Sequence, residues 1–421
     1  MAIEYQTWFT MTLRDDDLFG LNREKKIKES GVRQIFTPHR PVNNVDLFFG
    51  RQNEVHSVIE QINTPGQHSL LYGERGVGKS SLANIASELL LSKIISGRLY
   101  YNRCDSESDF VSILRDPLAE IGVDISVKEV GANSKSGGSA KLRVPFAEGG
   151  MGQENETSET RHGPRKRLSP SYAAKLLEST PGLLVVDEAD SISSERDRRK
   201  LAEFVKQLSD RDASFKVLIV GIAQTGDELI AGHPSVRRCL RETKLSRMSA
   251  EELRLILNNG EEKLNIKFQD EVKDKIVRVS AGYPHFTHLI ALKCAENAVS
   301  EDRSEITSEN LSQALKEATQ DAEGTLSRSY KKAMRSYSTD MYRIILCAAA
   351  NLESEEFTAR ELREEISSLT GEAITQQSLN NYFKRLVSDN ENTVLRRLKK
   401  GVYRFTDPRM PSYVRIANEM V

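Results

Sequence analysis

The segment that most constrains this chain is Gly73-Glu-Arg-Gly-Val-Gly-Lys-Ser80. Ser69-Leu-Leu-Tyr72, just before it, is a short apolar run that reads as a strand. Ser80 to Leu91, just after it, carries Leu82, Ile85, Ala86, Leu89 and Leu90 at helical spacing. Strand, glycine-rich turn, helix is the context in which Gly-x-x-x-x-Gly-Lys-Ser cradles phosphate. The glycines let backbone N–H groups turn inward onto phosphate oxygens, and the helix aims its positive end at the same place. Gly73, Glu74, Arg75, Gly76, Val77, Gly78, Lys79, Ser80 and Ser81 are therefore the candidate nucleotide-binding residues. In this pattern Lys79 reaches the β- and γ-phosphates of ATP and Ser80 ligates Mg²⁺.

Such a loop sits in a parallel sheet, and the chain supplies more strands for one. Arg98–Tyr101, Leu183–Val186 and Lys216–Val220 are short strand candidates, the last two nearly continuous in apolar residues as buried parallel strands are. Helical stretches alternate with them, which implies an α/β unit with helices on both faces of the sheet. Leu183-Leu-Val-Val186 ends in Asp187-Glu188. An acidic pair at a buried strand end suits P-loop chemistry: Asp187 would hold Mg²⁺ through water, and Glu188 would polarise the attacking water as general base. Gln224, at the tip of the next strand, is the candidate for touching the γ-phosphate or positioning that water, with Thr225 the runner-up. Arg237, Arg238 and Arg241 compete for the role of an arginine on the transferring phosphoryl group, in cis or from a neighbouring copy, and Arg238 is taken as the candidate. His285 and His288 stand one helical turn apart without an evident third ligand, so core or cap roles are expected of them rather than metal binding.

At 421 residues the chain is too long for one ordinary core. We divide it into a weakly ordered lead-in with room for one short helix (1–45), a nucleotide-binding unit (46–247), an all-helical lid (248–322) and a C-terminal unit (335–421). Within the second, residues 125–170 are rich in Gly, Ser, Glu and Lys without apolar periodicity, and read as a disordered insertion. The C-terminal order of helix, helix, helix and hairpin is that of a winged helix. The net charge of −1 excludes nucleic-acid binding by bulk charge. The C-terminal charge is split, however: residues 337–375 hold three basic and eight acidic residues, and 376–415 hold nine basic and three acidic. Lys384, Arg385, Arg396, Arg397, Lys399 and Lys400 fall in the basic part, and Gln377 lies early in its helix, where such side chains can read base edges. No apolar stretch approaches the ~18 residues of a membrane span. The first ten residues do not look like a signal peptide, and four cysteines are scattered without paired spacing. A cytoplasmic protein without a membrane partner is expected.

With these residues placed, the chain resembles the AAA+ superfamily, in the branch of the origin-recognition initiators and the STAND-like signal-transduction ATPases. Leu47-Phe-Phe-Gly50-Arg51 looks like that branch's Phe-Val-Gly-Arg-Glu motif near the adenine, with Gln52 in place of the acid. Gly73–Ser80 matches Walker A, Leu184–Asp190 matches Walker B, and Gly282-Tyr-Pro284 looks like the Gly-x-Pro element whose proline packs near the base. The resemblance implies that Gly50, Arg51 and Pro284 help to bind nucleotide. It departs at His285, where initiator-type proteins often carry the sensor 2 arginine. Three functional readings follow. The first is an ATP-hydrolysing switch that couples ATP or ADP to a winged helix engaging double-stranded DNA or a partner protein. The second is an initiator-like or loader protein with largely structural nucleotide. The third is a regulatory ATPase of a multi-protein system such as anti-phage defence. Self-association is open in each.

Overall fold

The structure, a computed structural model, describes residues 20–123, 168–230, 234–322, 324–334, 339–352, 354–387 and 393–419. Most of the 125–170 segment lies outside the described residues.

Five parallel strands form the central sheet: β1 (His68–Gly73), β2 (Arg98–Arg103), β3 (Gly182–Asp187), β4 (Phe215–Ile222) and β5 (Leu240–Leu245). Their order is β2-β3-β4-β1-β5. Alternation along the strands sends side chains to two cores. Leu71, Leu183, Val185, Leu218 and Val220 pack under the helices Gln52–Asn63 and Lys79–Lys93. Leu70, Leu184, Val186, Val217 and Ile219 pack on the other face, against Ala173 and Ala174 of the helix Pro170–Leu177 and Phe204 and Leu208 of Glu195–Asp210. Four of the five strands are where apolar runs place them. β5 is an addition: Leu240-Arg-Glu-Thr-Lys-Leu245 edges the sheet and buries only Leu240, Thr243 and Leu245, so it carries no apolar run. The position of β1, between β4 and β5, opens a crevice at the C-terminal strand ends, where ligands of open α/β sheets bind.

Beyond β5 come the helices Ala250–Leu264, Asp270–Ser280, Pro284–Ser300 and Ser308–Asp321, joined by a two-strand parallel ladder of β6 (Lys267–Phe268) and β7 (Glu305–Ile306). Of the lead-in, expected to be weakly ordered apart from one short helix, residues 20–45 are packed on the lid helices. The helix Leu21–Ser30 packs on Pro284–Ser300 and buries Ile27, with Val32 and Phe36 following it into the core. Arg33 clamps this packing, its Nε donating to Glu296 at 2.6 Å. Polar residues on the outer face of that helix hide the signal.

The C-terminal elements are the helices Met341–Asn351, Ala359–Thr370 and Gln376–Leu386 and the hairpin β9 (Leu395–Lys399) and β10 (Val402–Phe405). A short strand, β8 (Phe357–Thr358), adds to the hairpin in the order β8-β10-β9. A closing helix, Met410–Ala417, buries Tyr413, Val414 and Ile416 and packs on Met341–Asn351 and Ser308–Asp321. Among the described residues no helix is long and apolar enough to cross a membrane.

Candidate functional site

The site begins where β1 turns into the helix Lys79–Lys93. At Gly73 the backbone has φ +155°, and a Cβ would meet the Leu245 carbonyl oxygen at 2.3 Å, so only glycine fits between β1 and β5. The helix starts behind Gly78 with no side-chain cap. Its first N–H groups are thus left for an outside acceptor, and a phosphate is the natural one. Lys79 is 9% exposed, and its ammonium donates to the carbonyls of Gly73 (3.1 Å) and Glu74 (2.6 Å). Burial lowers its pKa to about 8, against the pull of Asp190 and Asp187.

The acidic pair lies at the end of β3. Asp187 is 1% exposed; its Oδ2 accepts from the Tyr101 hydroxyl at 2.7 Å and its Oδ1 from the Glu188 N–H at 2.9 Å. Burial beside Asp187 keeps the Tyr101 phenol protonated, well above its ordinary range. Glu188 takes a left-handed conformation, φ +56°, which turns its half-exposed side chain out of the strand line. Arg103 Nε stands 3.6 Å from its Oε1. Asp190 Oδ1 accepts the Ile222 N–H at 2.7 Å and so ties the turn after β3 to the tip of β4.

These groups line one cavity of about 450 Å³, which holds residues 75–81, Asp187, Glu188, Asp190, Arg51 and Pro284. Hard oxygen donors, the Asp187 carboxylate and the Ser80 hydroxyl, line it beside the Lys79 ammonium, and that set fits Mg²⁺ on a polyphosphate. Gly73 and Glu74 do not line the cavity: Gly73 packs against Leu245, and the Glu74 side chain points elsewhere. Gly50 also lies outside the lining, against Met248 and Glu252. Arg51 is buried, and its N–H donates to Glu252 Oε1 at 3.0 Å and its guanidinium to Glu54 (2.9 Å) and the Ser246 carbonyl. The Gly50-Arg51 pair thus clips the start of the helix Ala250–Leu264.

Three candidates stand apart. The Gln224 side chain is exposed while its N–H donates to Glu228, and β4 offers the cavity Gly221 and Ile222 instead. Arg237 pairs with Asp227 and Arg238 with Asp210, both exposed and outside the cavity. His285 and His288 belong to a strap. Residues 37–42 run over the cavity, held by the Val42 N–H on Ser81 Oγ (3.0 Å), the Thr37 N–H on His288 Nδ1 (3.3 Å) and a His285 Nδ1 contact to the Pro38 carbonyl (2.9 Å). Burial lowers the His288 pKa to about 4, so the ring is a neutral acceptor. Among the described residues no group of three metal-binding side chains occurs. The strap's only sequence signal is the pair of prolines in Thr37-Pro-His-Arg-Pro41.

Sequence reasoning missed the outer side of the loop. Glu74 Oε2 accepts from the Tyr283 hydroxyl (2.7 Å) and Arg247 Nε (3.1 Å). Arg247 lies over the Tyr283 ring at 4.6 Å and pairs with Glu355 at 2.5 Å, and the Tyr283 hydroxyl also meets the Pro408 carbonyl at 3.1 Å. Gly282 makes this possible: at φ +83°, a Cβ there would come 2.6 Å from Arg247 Cβ. Arg409, held on Asp407 by two hydrogen bonds of 3.1 and 2.8 Å, places its Cδ 3.0 Å from where a Cβ of Gly76 would stand. Arg409, after the hairpin, therefore touches the phosphate loop directly, and Glu355, before it, reaches the loop through Arg247.

On the C-terminal elements, Gln377, Lys384, Arg397, Lys399 and Lys400 are exposed and Arg396 is half-buried. Arg385 is exposed as well, but it lies over the Tyr342 ring at 4.6 Å and donates to the Lys332 carbonyl at 2.8 Å.

Among protein families, residues 41–396 match the one described as Novel STAND NTPase 1. No curated protein matches the chain. Among solved structures it is similar to the Aeropyrum pernix ORC1 protein in complex with DNA (14% identity, 92% of this chain and 98% of that chain, TM-score 0.47). It is also similar to the Walker-type ATPase PABY2304 of Pyrococcus abyssi (15%, 90% and 99%, 0.48) and to Cdc6p from Pyrobaculum aerophilum (14%, 92% and 98%, 0.46).

Proposed function

The chain belongs to the Novel STAND NTPase 1 family, and on that premise we propose that it is an ATP-operated switch whose nucleotide state sets the position of a C-terminal winged helix. The observation that carries this reading is the junction on the outer side of the loop. Arg409 packs on Gly76, and Glu355 reaches Glu74 through Arg247, so the C-terminal elements meet the loop whose residues 75–80 face the cavity. A loop that closes on phosphates on one side alters its packing on the other, because packed interfaces shift between discrete arrangements.

Within the cavity the loop's N–H groups and the open helix start would take the phosphates, and the Lys79 ammonium would leave the Gly73 and Glu74 carbonyls for stronger anionic acceptors. Ser80 and Asp187 would hold Mg²⁺, which when bound neutralises charge on the β- and γ-phosphate oxygens. Glu188 Oε would take the proton of the attacking water. Pro284 and the strap 37–42 would close the far end of the cavity and exclude solvent. His285 stands where a sensor 2 arginine is often found, and its bond to the strap suits holding the cavity wall rather than reading phosphate. The route from nucleotide to the C-terminal elements in this reading passes through Glu74 and Arg247.

The test is protease protection of the C-terminal elements with and without ATP and Mg²⁺. Wild type is expected to change its cleavage pattern on adding nucleotide. Lys79→Ala is expected to abolish the change by losing the nucleotide, and Arg247→Ala to keep the nucleotide and lose the change. An Arg247→Ala protein that responds as wild type does would sink the route.

A further inference from the structure

The edge strand β2 ends beside the acidic pair, and its side chains account for how Asp187 is held. Its register on β3 pairs Tyr101 with Val185 and Arg103 with Asp187. Residues two apart share a face of the sheet, so Tyr101 lies diagonal to Asp187 on the side that carries the loop helix. A diagonal of this kind is within reach of an aromatic side chain. The phenol spans it and donates to Oδ2 at 2.7 Å. Oδ1 takes the Glu188 N–H at 2.9 Å, which is fixed by the chain itself.

Asp187 is 1% exposed, so protein donors rather than bulk water orient it. Two hydrogen-bond donors therefore set the plane of its carboxylate; the Tyr101 hydroxyl comes from the neighbouring strand, and Arg103 Nη2 of that strand stands farther off, 4.0 Å from Oδ2. An ionised carboxylate has about four lone-pair sites, so these two bonds leave acceptor capacity on the cavity side. Tyr101 does not line the cavity and can act there only through Asp187.

We propose that Tyr101 is a positioning residue for the metal-binding acid: its hydroxyl fixes Asp187 in the orientation that takes Mg²⁺ and so sets the metal dependence of nucleotide binding. The proposal rests on the reading of the chain as an Mg²⁺–ATP-binding protein. Partners of this outer kind are worth about 10- to 100-fold in metal affinity at characterised sites.

The experiment is calorimetric titration of the full chain with ATP in EDTA and at a series of Mg²⁺ concentrations, for wild type, Tyr101→Phe, Asp187→Asn and the double variant. Tyr101→Phe keeps the ring and removes only the hydroxyl. We expect it to raise the Mg²⁺ concentration at half effect by about 10-fold, leave ATP affinity in EDTA unchanged, and add nothing in the Asp187→Asn background. An unchanged Mg²⁺ dependence overturns the proposal, as does an equal loss with and without metal, or a further shift in the Asp187→Asn background. A wild type that binds ATP equally well with and without Mg²⁺ removes the underlying reading of Asp187 as well. Those outcomes separate the two failures.

Discussion

Lys79 and Glu188 occupy opposite electrostatic positions. Lys79 is buried, and its ammonium rests on two backbone carbonyls, which are weak partners for a desolvated cation. A polyphosphate supplies what those carbonyls lack. Glu188 is half-exposed, turned out by its left-handed backbone and in loose contact with Arg103. Replacing it isosterically tests its chemistry without touching the loop. Glu188→Gln is expected to keep Mg²⁺–ATP affinity within about twofold while lowering steady-state phosphate release by about 10²-fold or more, the usual share of a general base. Turnover at the wild-type rate in that variant excludes Glu188 as the base. At this scale the sequence is most legible where function needs contiguous residues. The loop and the acidic pair are read directly, whereas Gln224 and Arg238 are guesses from strand ends and turns, and the fold leaves both outside the cavity.

Among the elements, the strap 37–42 and the helix Pro284–Ser300 form one wall, joined at His288. Its folded pKa of about 4 lies below an unfolded value near 6.5 because burial disfavours the charged ring. The sign follows from proton counting: the unfolded chain binds the proton first, so the stabilisation is complete above pH 6.5 and is lost as pH falls toward 4. The loss amounts to about 3 kcal/mol for this one group. His68, buried and lowered to about 3, acts in the same direction. Denaturant titrations of His288→Gln, whose amide oxygen can still accept the Thr37 N–H, are expected to show a shallower loss of stability between pH 6.5 and 4 than wild type. Equal slopes would mean that His288 is not buried neutral. The strap was hard to read because an extended segment closing a cavity needs no periodicity. The edge strand β5 was missed for a related reason, since its exposed residues break the apolar run.

For the whole molecule, the charge distribution bears on partners. A chain with net charge −1 presents exposed Lys384, Arg397, Lys399 and Lys400 near its hairpin, while Arg385 is committed to Tyr342 and Lys332. If this face engages duplex DNA, affinity falls with salt in proportion to the phosphates neutralised, at a log–log slope of about 0.9 per contact. The triple variant Arg397→Ala, Lys399→Ala, Lys400→Ala is then expected to weaken binding and reduce that slope by about 2 to 3, whereas Arg385→Ala changes it little. No binding of duplex at about 50 mM salt would turn the reading toward a protein partner for the same elements. Particle mass with and without ATP would show whether exposed Arg237 or Arg238 meets a second copy.

The sequence by itself determined the phosphate loop, the acidic pair, four of the five central strands and the order of helices behind them. Each of these is written in neighbouring residues, through glycine conformations, apolar runs or helical spacing. Only the tertiary structure decided which side chains meet across the chain. Tyr101 reaches Asp187 from 86 positions away, Tyr283 reaches Glu74 from 209, and Thr37 reaches His288 from 251. Such bonds depend on strand register and helix packing, which leave no local pattern. The loop that the sequence announces as a phosphate cradle is therefore also, on its other side, the seat of the C-terminal elements.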